Sequence, residues 1–107
     1  MLASARSRAK AKFQAFNLTE RDILELFHTQ QGKCYWFGVD LYCAEQRRHP
    51  RLPSLDRVNS AKGYTPGNVV LVCWAANQAK SNLDSLDWEE FLDHLRAAMV
   101  EQAQQRQ

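Results

Sequence analysis

Ser54-Leu55-Asp56-Arg57-Val58-Asn59-Ser60-Ala61-Lys62-Gly63-Tyr64-Thr65-Pro66-Gly67-Asn68-Val69-Val70-Leu71-Val72-Cys73-Trp74-Ala75-Ala76-Asn77-Gln78-Ala79-Lys80 is the stretch that decides the fold. It reads as strand, polar loop, strand, helix. The first strand lies near residues 54–58. The loop runs through Gly63 and Pro66-Gly67, whose Gly and Pro punctuate a turn. The second strand covers 69–72 as a short continuous apolar run, and a helix follows from about 73 to 81. An acid sits on the first strand, an Asn just before the second, and another Asn inside the helix.

Hard oxygen donors such as carboxylate and amide carbonyl suit Mg²⁺ or Mn²⁺. Asp56 on a strand and Asn77 on the facing helix can each supply one. Other roles are open to the same residues. Asp56 can cap a turn near Val58 or Asn59, and Asn68 after Pro-Gly can be a turn residue. Asn77 can bond the loop between the strands.

Outward from this unit, Asn17 or Thr19 can cap a helix that carries acids in its first turn. Ile23, Leu24, Leu26 and Phe27 give that helix an apolar face, and Gln31-Gly32 ends it. Residues 34–42 alternate around Gly38 as a short hairpin or knuckle. Residues 44–53 form a polar loop closed by Pro50 and Pro53. Asp84 or Ser85 can cap a last helix, where Trp88, Phe91, Leu92, Leu95 and Met99 recur at helical spacing and are expected in the core. The expected organisation is a basic arm over 1–16, one domain over 17–100 and a polar, fraying tail over 101–107.

A chain of 107 residues with 45% apolar content supports one modest core. A net charge of +2 says little, but its distribution says more. Arg6, Arg8, Lys10 and Lys12 cluster near the start, and Arg47, Arg48, His49 and Arg51 cluster before the decisive stretch. Such clusters suit a polyanion. No apolar run is long enough to span a membrane, and the first dozen residues lack a secretory pattern. With three scattered Cys, a reducing cytoplasmic setting is expected.

With Lys62-Gly63-Tyr64 and Val69–Val72 at the same spacing, residues 32–83 resemble the HNH (ββα-metal, His-Me finger) endonuclease family. The likeness is to small phage and prophage members with a Ser-Leu-Asp-Arg segment. The resemblance implies an α+β fold with a ββα-metal core and flanking N- and C-terminal helices. It implies one divalent cation, Mg²⁺ or Mn²⁺, with Asp56 and Asn77 as ligands. Asn68 matches the residue that orients the general base through its backbone, and Lys80 matches the Asn-x-x-Lys ending that can contact phosphate.

The family's general-base His is replaced here by Arg57. A guanidinium cannot accept a proton near neutrality, but it can grip phosphate through two parallel hydrogen bonds. His49, just before the acid-bearing strand, is the expected base, while His28 and His94 fall on predicted helices. Tyr64, or the cation alone, are the other routes to hydroxide. Many family members also brace this unit with two Cys-x-x-Cys pairs around zinc. Here each pair is halved, as Cys34-Tyr35-Trp36-Phe37 and Cys73-Trp74-Ala75-Ala76. Structural Zn²⁺ is therefore not expected, and Cys43 offers no standard spacing. Cys34 and Cys73 are expected side by side as buried thiols, with Phe37 and Ala76 packing in place of sulfur.

The function that follows is a metal-dependent DNA endonuclease or nickase. Arg6, Arg8, Lys10, Lys12, Arg47, Arg48, Arg51, Arg57, Lys62 and Lys80 are its expected nucleic-acid contacts. A homodimer or a larger phage or bacterial machine is a possible setting. The alternative is a catalytically degenerate HNH-like protein that binds DNA or assists phage assembly.

Overall fold

The computed structural model describes residues 2–11, 16–42, 49–81 and 83–106. Lys12, Cys43, Arg47 and Arg48 lie outside the described residues. Chain order is α1 (Leu2–Ala11), α2 (Glu20–Thr29), β1 (Pro53–Arg57), a 3₁₀ turn (Pro66–Asn68), β2 (Val69–Cys73), α3 (Trp74–Lys80) and α4 (Ser85–Gln105). The architecture is α+β. Strands β1 and β2 pair antiparallel, with Pro53 opposite Cys73, Asp56 opposite Val70 and Arg57 opposite Val69. Every residue of β2 is buried, which accounts for its unbroken apolar run. Among the described residues no helix is long and apolar enough to cross a membrane.

The segment expected as a basic arm forms α1. Ala5 and Ala9, one turn apart, are fully buried in the core and turn the basic side chains outward. Alanine carries too little apolar signal for that face to stand out in sequence. Thr19 caps α2 through a reciprocal pair of bonds with Asp22. The helix ends as Gln31 and Gly32 take left-handed φ values of 56° and 69°. A Cβ on Gly32 would lie 3.1 Å from the Phe27 ring, so glycine suits the position twice over.

Gln30 then clamps β2. Its amide nitrogen donates to the Leu71 carbonyl at 2.8 Å and its oxygen accepts from the Leu71 N–H at 2.9 Å. The knuckle after α2 closes through a Lys33–Asp40 bridge, and the Lys33 ammonium, 2.7 Å from Asp40, holds that carboxyl below its usual range. Cys34 and Cys73 are buried, free thiols in mutual contact. Burial, first, and the neighbouring Cys34 push the Cys73 thiol up. Phe37 packs toward Trp88, and Ala76 is fully buried.

Asp84 caps α4, accepting from the Leu86 N–H at 2.7 Å. Trp88 and Leu92 of this helix enter the core, whereas Phe91, Leu95 and Met99, expected beside them, are exposed, because only the first turns of the long helix pack on the sheet side. The Ser85 hydroxyl donates to the Val58 carbonyl. The expected frayed tail continues as helix to Gln105. Ala, Glu and Gln in that stretch are strong helix formers, so it extends without burial.

Candidate functional site

Strand β1 alternates its side chains, so Ser54 and Asp56 share one face. Helix α3 lies against that face. The Asn77 amide nitrogen donates to the Ser54 hydroxyl at 2.7 Å. The Asn77 side-chain oxygen Oδ1 has no partner among the described residues, whereas the backbone carbonyl accepts from the Ser81 N–H at 2.9 Å. One turn later, Lys80 reaches Asp56, with its ammonium 2.9 Å from Oδ2 and 3.1 Å from Oδ1. The same ammonium donates to the Arg57 carbonyl at 2.9 Å and lies 5.7 Å from the centre of the Trp36 ring. The Trp36 indole N–H donates to Asp56 Oδ2 at 2.7 Å. Asp56 is thus buried but well partnered, as a buried carboxylate must be.

A cleft of about 200 Å³ opens over this arrangement. Asp56 and Asn77 line it together with Arg8, Arg57, Tyr64, Gln78, Ser81 and Leu55. The Arg57 guanidinium stacks over the Tyr64 ring at 5.0 Å and donates to the Ser60 carbonyl at 3.0 Å. Arg8 arrives from α1, and its Nε donates to the Tyr64 hydroxyl at 3.2 Å. Two guanidiniums therefore flank one phenol ring at the cleft wall.

Asn68 shapes the loop from which Tyr64 comes. Its oxygen accepts from the Asn59 N–H at 2.9 Å. Its nitrogen donates to the Asn59 carbonyl at 3.0 Å and to the Gly63 carbonyl at 2.8 Å. The side chain closes the loop across its base.

Two expectations do not match this geometry. His49 is not among the cleft residues. Its ring stacks on Tyr42 at 4.3 Å, and its Nδ1 accepts from the Arg51 N–H at 3.1 Å. The chain enters β1 at the Pro53–Cys73 end of the ladder, and three residues of strand, about 10 Å, separate Pro53 from Asp56. Proximity in sequence therefore places His49 at the far end. Lys80, expected at a phosphate, is only 1% exposed and is committed to Asp56. The last turn of α3 faces the strand, so its long stem runs inward.

The remaining basic candidates are spread out. Arg6 is exposed, with its guanidinium 5.1 Å from the centre of the Phe16 ring, and Arg51 stacks on Tyr42 beside His49. Lys10 and Lys62 are exposed. The sequence reading missed Trp36 and Ser54. Ser54 was recoverable, since it lies two residues before Asp56 and must share its face. Trp36 had no such signal. Trp88 packs edge-on against it at 6.1 Å, and the Arg96 guanidinium donates to its carbonyl at 2.6 Å, both from α4.

The donor set matches a hard divalent ion in kind, with one carboxylate, one amide oxygen and room for phosphate oxygen and water. Among the described residues no three His, Cys, Asp or Glu side chains gather as a metal cluster. Asp56 and Asn77 bring the carboxylate and the amide to the cleft, which Gln78, Ser81 and Tyr64 also line.

An antiparallel strand pair crossed by a helix, with an acid and an amide on the facing surfaces, is an HNH endonuclease-like fold. One solved structure that is similar is the rare-cutting HNH restriction endonuclease PacI, with a TM-score of 0.62 over 97% of this chain and 77% of that chain at 23% identity. No protein-family model matches the chain, and no curated protein matches it.

Proposed function

We propose that the chain is a divalent-metal-dependent DNA endonuclease or nickase of the HNH type, working at the cleft between β1, α3 and the Tyr64 loop. One observation carries this reading. The Asp56 carboxylate and the Asn77 amide meet two guanidiniums, Arg8 and Arg57, around one opening. Oxygen donors for a cation beside cationic forks for a phosphate are what phosphodiester hydrolysis requires. A divalent ion held by Asp56 and Asn77 would neutralise charge on the scissile phosphate and acidify the attacking water.

In this reading Arg57 and Arg8 bind and orient the phosphate. Asn68 holds the loop that presents Tyr64. Ser54 fixes the Asn77 amide so that its oxygen stays available. No histidine lines the cleft among the described residues, so proton loss from water would rest on acidification by the bound cation or on Tyr64 and not on an imidazole. Cutting both strands of a duplex needs two such sites, from a second copy or a larger assembly, or two successive encounters.

A binding-only role has one observation in its favour. Asp56 already carries Lys80 and Trp36, and Arg57 cannot accept a proton. Nicking of supercoiled plasmid with Mg²⁺ or Mn²⁺ separates the two roles. The nuclease reading expects nicking that is lost in Asn77→Ala with DNA affinity kept. It also expects Arg57→His, which restores a group of pKa near 6.5, to raise a slow wild-type rate. No metal-dependent nicking by either protein, over a range of DNA substrates, would establish the binding role.

A further inference from the structure

The cleft has the wrong charge for a free cation. Asp56 is the sole carboxylate among its described lining residues, whereas Arg8 and Arg57 line it and Lys80 sits against Asp56. Among these described groups one negative charge meets three positive ones. The carboxylate oxygens are also occupied. Lys80 touches both, and the Trp36 N–H takes a further position on Oδ2. The Arg57 carbonyl and the Trp36 ring meet the Lys80 ammonium from two other sides.

A divalent ion about 4 Å from even one positive charge loses roughly 30-fold in affinity at the dielectric of water, and more in a partly buried cleft. A phosphodiester changes this balance. It brings negative charge to the guanidiniums and adds oxygen ligands beside Asn77.

We propose that Lys80 is a positioning residue that holds Asp56 against the divalent cation until a DNA phosphate enters, so that nucleic acid binds first and the cation second. This order rests on the nuclease reading above. It assigns Lys80 the role of a built-in counter-ion that keeps the buried carboxylate satisfied and aimed while no cation is present.

The test is a Mn²⁺ titration of the DNA-free protein, with free Mn²⁺ followed by electron paramagnetic resonance. Wild type is expected to show no submillimolar site. Lys80→Met keeps the buried stem and removes the charge. It is expected to gain a site about 30-fold tighter or more, lost again in Lys80→Met/Asp56→Asn. Tryptophan fluorescence reports whether the variant folds, since Trp36 borders the pair. Should Lys80→Met fail to fold, Arg57→Gln leaves the buried pair intact and is expected to gain several-fold in Mn²⁺ affinity. A micromolar wild-type site that Asn77→Ala abolishes would overturn the proposal. So would folded Lys80→Met and Arg57→Gln proteins with unchanged Mn²⁺ affinity. Either outcome leaves the nuclease reading standing, because plasmid nicking judges that reading separately.

Discussion

Asn68 is the residue whose role can be measured most directly. It is 8% exposed, and its amide makes one accepted and two donated hydrogen bonds to the Asn59–Gly63 loop. A typical net contribution is about 1 kcal/mol per bond. Asn59 is exposed and recovers water when its partner is removed, so Asn68→Ala should cost about 2 kcal/mol in all. For a domain of this size that lowers Tm by roughly 8–16 °C. Urea unfolding followed by tryptophan fluorescence measures the loss.

Asn68→Asp sharpens the test. It keeps the acceptor for the Asn59 N–H but turns a second oxygen toward the carbonyls of Asn59 and Gly63. Neither can donate, so the ionised form is repelled and desolvated, and that carboxyl's pKa rises in the folded state. A raised folded pKa gives stability that is present below the unfolded value of about 3.9 and is lost as pH rises through the folded one. The variant should therefore be less stable than Asn68→Ala at pH 7, by about 1–2 kcal/mol, and recover in acid. A loss under about 0.5 kcal/mol in Asn68→Ala, or an Asn68→Asp stability that tracks wild type at every pH, would refute the pinned loop.

The Asp56–Lys80 pair should behave as a unit. Asp56→Asn and Lys80→Met should each destabilise by about 3–5 kcal/mol, while the double variant returns to within about 1–2 kcal/mol of wild type. Additive losses in urea melts would mean the pair is not coupled. Cys73 has its thiol pushed above the ordinary 9.0, chiefly by burial. Its contribution to stability should be complete below about pH 9 and fall as pH rises further, and Cys73→Val should lack that alkaline loss. Native Cys73 should also resist a thiol reagent until urea unfolds the chain, whereas rapid labelling of the native protein would contradict its burial.

The sequence by itself determined the ββα unit. The short strand that carries Asp56, the turn residues Gly63, Pro66 and Gly67, the apolar run Val69–Val72 and the following helix are local patterns, set by period and turn chemistry. The helix cap, narrowed to Asn17 or Thr19, and the helical stripe through Trp88 and Leu92 were legible for the same reason, but the same periodicity also pointed to Phe91, Leu95 and Met99, which stay exposed. The candidate ligands Asp56 and Asn77 were legible as residues at a spacing, and the shared cleft is where the fold places them.

Tertiary structure decided which side chains face one another across the fold. Chain distance suggested His49 as a neighbour of Asp56, but the direction in which the chain enters β1 puts it at the opposite end of the ladder. Lys80 looked like a surface cation on a short helix, yet the packing of α3 on β1 turns it into the buried partner of Asp56. Trp36 donates to that carboxylate from twenty residues away, held there by α4. Arg8 enters the cleft because two small alanines seat α1 against the core. Periodicity sets which face of an element is apolar. It does not set which distant charge meets which carboxylate, because that depends on how the elements dock.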